Sequence, residues 1–372
     1  MSATSTAPSA AERTAPATAA TTTTPGTRGA PGAHALPPGR RMAAVIVLVP
    51  VVAALALWAF AWPNARVAPR DLPLGVAGPA TATVQIAQRL EQRDGAFEVH
   101  RYADEAAARD AIEERTVYGA VVVTEAGPKL LTASAASPMV AQLLQQAVGE
   151  QAAREGARVE VTDVVATPAE DPRGSVFGSS VLPLALAGTA SGAVVTLLGL
   201  RGARAAGALA GAAVLVGLTA AALAHTWLGA LTGDWWAEAG VLSLTTLAVG
   251  ATVTGLASLL GRAGLGLGAL LIVFLGNPFS GAASAPRMLP EPAGTLGQWL
   301  PPGAGATLLR SVSFFDGAAA LSPALVLTWW AVLGLAAVVV GPALKQSKRP
   351  AASEPATPAG DRTPASAPAP TH

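Results

Sequence analysis

The side chains that most often carry out chemistry are scarce in this sequence. It has no cysteine, and its four histidines stand singly at His34, His100, His225 and His372. The missing cysteines exclude disulfides, iron–sulfur clusters and thiolate zinc sites, and the scattered histidines lack metal-site spacing. The nucleotide-binding pattern G-x-x-x-x-G-K-[ST] is also missing. We therefore expect no enzyme activity and no cofactor, and any ATPase would be a separate subunit.

Small and hydroxyl-bearing residues recur every three or four positions between residues 239 and 260. They are Ser243, Thr246, Gly250, Thr254 and Ser258. On a helix this spacing places them on one face. The face is expected to hydrogen-bond to neighbouring helices or to its own carbonyls, and the alternative is the wall of a polar substrate path. Glycine pairs four residues apart favour close helix contacts elsewhere; they are Gly188/Gly192, Gly207/Gly211 and Gly264/Gly268.

The least ordinary segment reads Gly276-Asn277-Pro278-Phe279-Ser280-Gly281. Proline removes a helix donor and glycine loosens the backbone. Asn277, Pro278 and Gly281 therefore predict a break at the end of an apolar helix.

The residues after this break predict two short helices, 294–300 and 307–315, around a Pro/Gly turn. Together with the break they form a re-entrant or interfacial hairpin near residues 276–316, with a plain loop as the alternative. Leu308 and Leu309 would face lipid or protein, while Arg310 reaches the lipid headgroups.

These segments must be held by elements that cross a bilayer. The sequence is 51% hydrophobic and only 13% charged, whereas soluble proteins are about 25% charged. Six runs without Asp, Glu, Lys or Arg are long enough to span a membrane; they cover residues 42–62, 179–200, 205–227, 239–260, 263–283 and 321–344. The sequence predicts an α-helical membrane protein with about six transmembrane helices and a small extracytoplasmic α/β domain between the first and second.

The charges between the runs indicate the orientation. Basic residues fall on one side of six alternating spans: Arg40, Arg41, Arg201, Arg204, Arg262, Lys345, Lys348 and Arg349. Acidic residues fall on the other: Asp234, Glu238, Glu291 and Asp316. The positive-inside rule then predicts both termini in the cytoplasm and a multi-pass protein of a bacterial plasma membrane. His225, at the end of a span near the outer face, is expected to reach water.

Residues 63–177 have the composition of a soluble domain, in which strand and helix patterns alternate. The predicted strands are 72–76, 97–102, 118–124, 129–132 and 158–165, and the helices are 80–93, one that Asp104 caps, and 138–155. The order β-α-β-α-β-β-α-β predicts a small α/β sandwich with helices packed on one sheet. With roughly 110 residues, this domain is expected to fold alone.

The two ends of the chain, 1–39 and 345–372, predict disordered cytoplasmic tails because Ser, Thr, Ala, Pro and Gly dominate them. The first span also ends in Ala59-Phe60-Ala61, which is similar to a signal-peptidase site. A cleaved signal peptide is therefore the alternative to a retained first helix.

Three stretches give the sequence a family resemblance. They are Asp110–Val123, which reads as a helix and then a strand beginning Tyr-Gly-Ala, Asp171-Pro172-Arg173-Gly174, and Gly276–Gly281. With the order of spans, they resemble the permease subunits of type-2 ABC exporters, in the phage-infection-protein-like and actinobacterial branch. The resemblance covers roughly residues 42–345 and includes no catalytic signature.

This resemblance implies a homodimer or related heterodimer that moves a hydrophobic or amphiphilic substrate with energy from a separate ATPase. An ATP-binding subunit and the lipid bilayer would be its partners, and no nucleic acid is expected. The ATPase would dock on the cytoplasmic turns that carry Arg201, Arg204 and Arg262. These turns are tight and no amphipathic helix precedes the first span, whereas such permeases usually offer both a coupling helix and an interface helix. The alternative is a membrane-anchored surface or envelope-assembly protein whose outer domain binds a partner.

Overall fold

A computed structural model describes residues 38–93, 95–125, 127–154, 156 and 158–347. The chain divides into two units, one up to Val52 and the other from Ala53 onward. The predicted tails lie mostly outside the described residues. Where they overlap, at 38–39 and 345–347, the backbone is helical, because α1 runs from Pro38 to Ala65 and the last helix continues to Ser347.

Helices account for most of the rest of the chain. After the α/β domain come α5 (Ser175–Leu197), α6 (Gly202–Ala221) with a π-helical turn (Ala222–Trp227), α7 (Trp235–Leu260), α8 (Arg262–Leu270) with a second π-helical turn (Leu271–Gly276), α9 (Ala293–Gln298), α10 (Pro301–Phe314) and α11 (Leu321–Ser347). Five helices among the described residues are long and apolar enough to cross a membrane: Met42–Ala65, Ser175–Leu197, Gly202–Trp227, Trp235–Leu260 and Leu321–Gly341.

The predicted run 263–283 differs from the other five. Its helix covers only Arg262–Gly276, which at 1.5 Å per residue is about 22 Å long. A hydrocarbon core is about 30 Å thick, so this helix ends before it could cross one. The chain leaves the helix beside Pro278, where the sequence predicts the break.

Helix α7 lies at the centre of the bundle, and α5, α6, α8, α10 and α11 all pack against it. Two of the three glycine pairs form such contacts, since Gly188 and Gly192 lie against α7, and so do Gly264 and Gly268. No atom outside the local backbone lies within 4 Å of a Cβ built at Gly207 or Gly211. The third pair is therefore open.

The α/β domain contains the predicted elements in the predicted order: β1 (Leu72–Ala77), α2 (Ala80–Glu91), β2 (Phe97–Tyr102), α3 (Glu105–Glu113), β3 (Gly119–Thr124), β4 (Gly127–Thr132), α4 (Pro138–Arg154) and β5 (Glu160–Asp163). The sheet order is β2-β1-β3-β4-β5. Strand β1 is parallel to β2 and β3, β3 and β4 form an antiparallel hairpin, and β5 is parallel to β4.

Two hydrophobic cores lie on the sheet. Ala108, Ala111 and Ile112 of α3 pack with strand residues that include Leu131. Val140 and Leu144 of α4 pack with strand residues that include Leu130. Because neighbouring residues of a strand point to opposite faces, Leu130 and Leu131 show that α4 and α3 cover different faces of the sheet.

Candidate functional site at the junction of the domain and the helices

The hydroxyl-bearing face of α7 packs against other helices. Ser243 and Thr246 donate to carbonyls one turn back in α7, at 2.7 and 2.8 Å. Thr254 donates to the Gly192 carbonyl of α5 at 3.3 Å, and Ser258 donates to the Ala337 carbonyl of α11 at 2.8 Å. Thr254 and Ser258 thus link α7 to its neighbours, whereas Ser243 and Thr246 bond to their own helix.

The three arginines proposed for docking lie at helix starts. Arg201 precedes α6, Arg204 is in its first turn, and Arg262 begins α8. All three side chains are exposed. They are therefore accessible at the end of the bundle opposite the α/β domain.

The segment of Asn277, Pro278 and Gly281 forms a tight, hydrogen-bonded turn. The Asn277 carbonyl accepts from the backbone N–H of Ser280 at 3.2 Å and from its hydroxyl at 2.7 Å. Gly281 has φ +67°, and a Cβ there would lie 2.7 Å from the Pro286 nitrogen. Gly281 thus has a conformational requirement that a larger residue meets poorly, whereas the half-buried Pro278, which has no N–H to donate, lies just after the end of the helix at Gly276.

The chain after this turn folds back into the bundle. Gly297 lies against Phe279, and Gly305 of α10 lies against Thr245. Thr245 is ten residues from the start of α7, which places Gly305 about 15 Å along α7 from its domain end. At the other end of α10, the Thr232 hydroxyl donates to the Ser313 carbonyl at 3.1 Å. Helices α9 and α10 therefore form a hairpin that enters the bundle and returns, which we call the re-entrant hairpin (residues 276–316).

Arg310 of this hairpin does not reach lipid headgroups, contrary to the prediction from the sequence. Its side chain is only 4% exposed, so it lies inside the protein rather than among headgroups. One guanidinium nitrogen donates to the Ala282 carbonyl at 2.9 Å. The guanidinium carbon lies 4.5 Å from the centre of the Phe177 ring, a cation–π contact. Arg310 thus ties α10 to the turn at 280–285 and to the start of α5.

A second arginine contacts the hairpin from the α/β domain. Arg115, which follows α3, donates to the Thr307 carbonyl at 3.1 Å and to the Ser311 hydroxyl. Its guanidinium carbon lies 5.2 Å from the centre of the Phe315 ring. Burial lowers the pKa of Arg115, and burial raises the pKa of the neighbouring Tyr118. The α3–β3 connection is therefore desolvated where it meets α10.

The hairpin also completes both cores of the domain. Phe315, 5% exposed, belongs to the core under α3, and Met288, 1% exposed, belongs to the core under α4. Backbone N–H groups of Ala68 and Arg70 donate to the carbonyls of Met288 and Arg287 at 3.0 and 2.9 Å. We call these contacts, together with those of Arg115, the junction. Both cores of residues 63–177 therefore include side chains from the hairpin, and independent folding of this domain stays a prediction.

We predict that a fragment of residues 66–172 is marginally stable. It lacks Met288 and Phe315, and burial of each such side chain contributes about 1.5–3 kcal/mol, a large share of a typical 5–15 kcal/mol. Urea unfolding followed by circular dichroism should give a broad transition at low urea, and a dye for exposed apolar surface should bind. A steep transition with little dye binding would mean that the junction contributes little to the domain.

The start of α5 explains the Asp171-Pro172-Arg173-Gly174 motif. The Asp171 carboxylate, 3% exposed, accepts from the backbone N–H groups of Ser175 at 2.8 Å, Val176 at 2.9 Å and Phe177 at 3.3 Å. These groups have no partner within the helix, and a carboxylate also interacts favourably with the helix dipole. Gly174 adopts φ +61°. The motif is thus a helix cap beside the junction.

Sequence reasoning missed one contact between a buried carboxylate and a histidine. Glu238 is fully buried in α7, and its carboxylate lies 2.8 Å from Nδ1 of His225 and accepts from the Gly233 backbone N–H at 2.9 Å. His225 is 29% exposed and lies in the π-helical turn after α6. Glu238 is therefore enclosed by protein, and His225, which was expected to reach water, contacts this carboxylate.

No group of three or more His, Cys, Asp or Glu side chains that could hold a metal ion occurs in the part of the chain that the structure describes. No protein-family model, no curated protein and no solved structure matches the chain. Its functional interpretation therefore depends on the residues and contacts described above.

Proposed function

We propose that this chain is the membrane-spanning permease subunit of an ABC-type exporter, which moves a hydrophobic or amphiphilic substrate with energy from a separate ATPase. The observation that carries the proposal is the junction. A domain that is only anchored to the membrane needs no more than a flexible linker. Here, both cores of the domain include residues of the re-entrant hairpin. A displacement of α10 would therefore move the sheet, as a transport cycle requires.

A membrane-anchored surface protein is the second candidate, and one observation favours it. The two connections at the opposite end of the bundle are tight: α5 ends at Leu197 and α6 starts at Gly202, while only Gly261 separates α7 from α8. An ATPase would have little surface to bind at these connections. The α/β domain would then bind an envelope component, and the bundle would serve as its base.

The orientation is part of the proposal. The charge distribution supports a cytoplasmic location for the termini and for Arg201, Arg204 and Arg262, with the α/β domain on the outer face of a bacterial plasma membrane. The short helix Arg262–Gly276 and the following turn at 277–285 would then make the fifth of six crossings. A homodimer or related heterodimer is proposed for the assembled permease.

The proposal predicts that reversing Arg201 and Arg204 to glutamate abolishes ATP-dependent export. Both side chains are exposed at the start of α6, so the change would repel an acidic docking surface without disturbing the core. The measurement is the release of the exported compound from cells, together with cross-linking to an ATP-binding subunit that co-purifies with the intact chain.

The control for this experiment is membrane topology, because the same charges orient the spans. Reporters fused after residue 130 should lie outside, and reporters at Gly202 and after Lys348 inside, in both the parent and the variant. Normal export by a correctly inserted variant would exclude this turn as the docking site. Failure to cross-link any ATPase at the cytoplasmic turns would favour the surface-protein candidate.

A further inference from the structure

Four residues other than glycine have a left-handed backbone in the part of the chain that the structure describes. They are Asp71, Arg115, Asp316 and Ala319, with φ values of 44, 62, 49 and 56°. A residue with a Cβ is disfavoured in this conformation, because the Cβ comes too close to the following carbonyl oxygen. Such residues persist only where surrounding contacts hold them, and they cluster at functional sites and switch regions. Their positions therefore show where this fold is strained.

All four residues lie at the junction or beside it. Arg115 contacts α10 itself. Asp71 follows Arg70, whose backbone N–H donates to a hairpin carbonyl at 2.9 Å. Asp316 and Ala319 lie in the connection between α10 and α11, and the first residue of this connection completes the core under α3. Among the described residues, strain outside glycine is thus confined to the segments through which the α/β domain meets the hairpin.

Arg115 occupies a position at which glycine is usual. Helix α3 ends in a Schellman motif, in which the Thr116 N–H donates to the Ala111 carbonyl at 2.9 Å and the Arg115 N–H donates to the Ile112 carbonyl at 3.0 Å. The left-handed residue of such a motif is usually glycine. Any other residue is disfavoured there by about 5- to 30-fold, so the Arg115 side chain must make a contact that offsets this cost.

The offsetting contact is the one with α10. The Arg115 guanidinium donates to the Thr307 carbonyl at 3.1 Å and to the Ser311 hydroxyl, and its carbon lies 5.2 Å from the centre of the Phe315 ring. These partners are uncharged, and burial lowers the pKa of Arg115. The contact therefore offsets only part of the cost of removing the charge from water. The favourable contact and the unfavourable strain and desolvation thus oppose each other at one residue.

From these observations we propose that Arg115 is a releasable latch between the α/β domain and the re-entrant hairpin. In the closed state, the guanidinium holds α10 and the left-handed residues at the junction are strained. In the released state, the guanidinium is hydrated and these residues relax, so the two states lie close in free energy. A displacement of α10 then reaches the sheet only while the latch is closed.

The latch deepens the proposed transport function, because it names what controls the coupling between α10 and the sheet. It rests on that function only for its use in a transport cycle, since its opening requires neither ATP nor a substrate. A failure of export would therefore leave the latch intact. A junction that never opens by itself would overturn the latch and leave docking of an ATPase intact.

The test is hydrogen exchange of the purified full-length chain in nanodiscs, followed by mass spectrometry. The reporters are the amides of Ala68 and Arg70, which donate to hairpin carbonyls, and the reference is the buried segment 248–253 of α7. The reporters should exchange faster than the reference, because the junction opens without unfolding of the bundle. Equal rates would show that the junction separates only on global unfolding, and would overturn the proposal.

Two glycine variants should change this exchange in opposite directions. Ala319→Gly removes the strain of one left-handed residue and keeps the Arg115 contact, so exchange at Ala68 and Arg70 should slow about fivefold relative to the reference. Arg115→Gly also removes strain, but it eliminates the contact with α10, so exchange at the same amides should accelerate about tenfold. Slower exchange in Arg115→Gly, or no slowing in Ala319→Gly, would contradict the latch.

The matched control for Ala319→Gly is Ala320→Gly, because Ala320 does not adopt a positive φ. Glycine there only adds backbone freedom, so exchange should not slow. Arg115→Asn is the second variant for the latch, since asparagine tolerates the left-handed conformation but lacks the guanidinium; it should accelerate exchange as Arg115→Gly does. Equal effects of the two alanine substitutions would show that backbone strain does not bias the junction.

Discussion

Replacing Gly192 by valine is expected to destabilise the helical bundle by about 3 kcal/mol, or roughly 5–10 °C in apparent Tm. A Cβ at this position would lie 2.8 Å from the Gly250 carbonyl oxygen and 3.0 Å from the Thr254 hydroxyl. The first neighbour is backbone, so α5 must move away from α7. That movement would also break the hydrogen bond from Thr254 to the Gly192 carbonyl.

The matched control is Gly207→Val, on a helix that is also predicted to cross the membrane. No neighbouring atom lies within 4 Å of a Cβ at Gly207, so this variant should unfold at nearly the parent temperature. Both would be measured by fluorescence-monitored thermal unfolding of the purified protein in one detergent. Equal losses would show that valine harms these helices generally and that the α5–α7 contact is not tight.

Removal of the Glu238 side chain is expected to have a comparable effect. In Glu238→Ala, the Gly233 N–H and Nδ1 of His225 would both lose the fully buried carboxylate that they contact. Each polar group that is left without its hydrogen-bond partner inside a protein costs about 1–3 kcal/mol, and this substitution leaves two. Thermal unfolding should therefore show one of the largest losses of any single substitution in α7.

Two variants test whether the effect belongs to this contact. Glu238→Gln retains the shape and an oxygen for the Gly233 N–H, so its loss should be nearer 1 kcal/mol. Asp234→Ala removes an exposed cap of the same helix, whose carboxylate accepts from the Ala237 N–H at 2.8 Å, and should also cost about 1 kcal/mol. If all three variants lose the same stability, the buried contacts of Glu238 contribute no more to stability than the exposed cap Asp234.

The α/β domain shows which structural features local sequence patterns can predict. Each strand and helix was predictable because its apolar period is complete within a few residues, as in Phe97–Tyr102, and because Asp104 supplies a cap, its carboxylate accepting from the Ala107 N–H at 2.9 Å. The pairing of β5 with β4 and the residues that close the two cores depend on contacts far apart in the chain. Met288 is more than 140 positions from its core partners Val140 and Leu144. The apolar periodicity of a single strand or helix contains no information about contacts between residues so far apart.

Arg310 and Glu238 show why the charged residues were harder to place. The sequence predicted that Leu308 and Leu309 face lipid or protein, but it did not show that protein covers Arg310 as well. The neighbouring Gly303-Ala304-Gly305-Ala306 run, buried throughout, was the available signal of close packing. For Glu238, the partner His225 lies 13 positions away in a π-helical turn. The α-helical spacing of three or four residues does not hold in such a turn, so it could not predict this contact.

The shared cores of the α/β domain have a consequence for biosynthesis. Residues 66–172 emerge from the ribosome before the hairpin that completes them, and Phe315 follows Pro172 by 143 positions. At about 5–20 residues per second, this interval is about 7–29 s. During that time, the apolar surface beneath Phe315 and Met288 is uncovered in the compartment that receives the domain. Quality-control proteases and chaperones there would meet an unfinished sheet in every newly made chain, and insertion of the last helices would end their access to it.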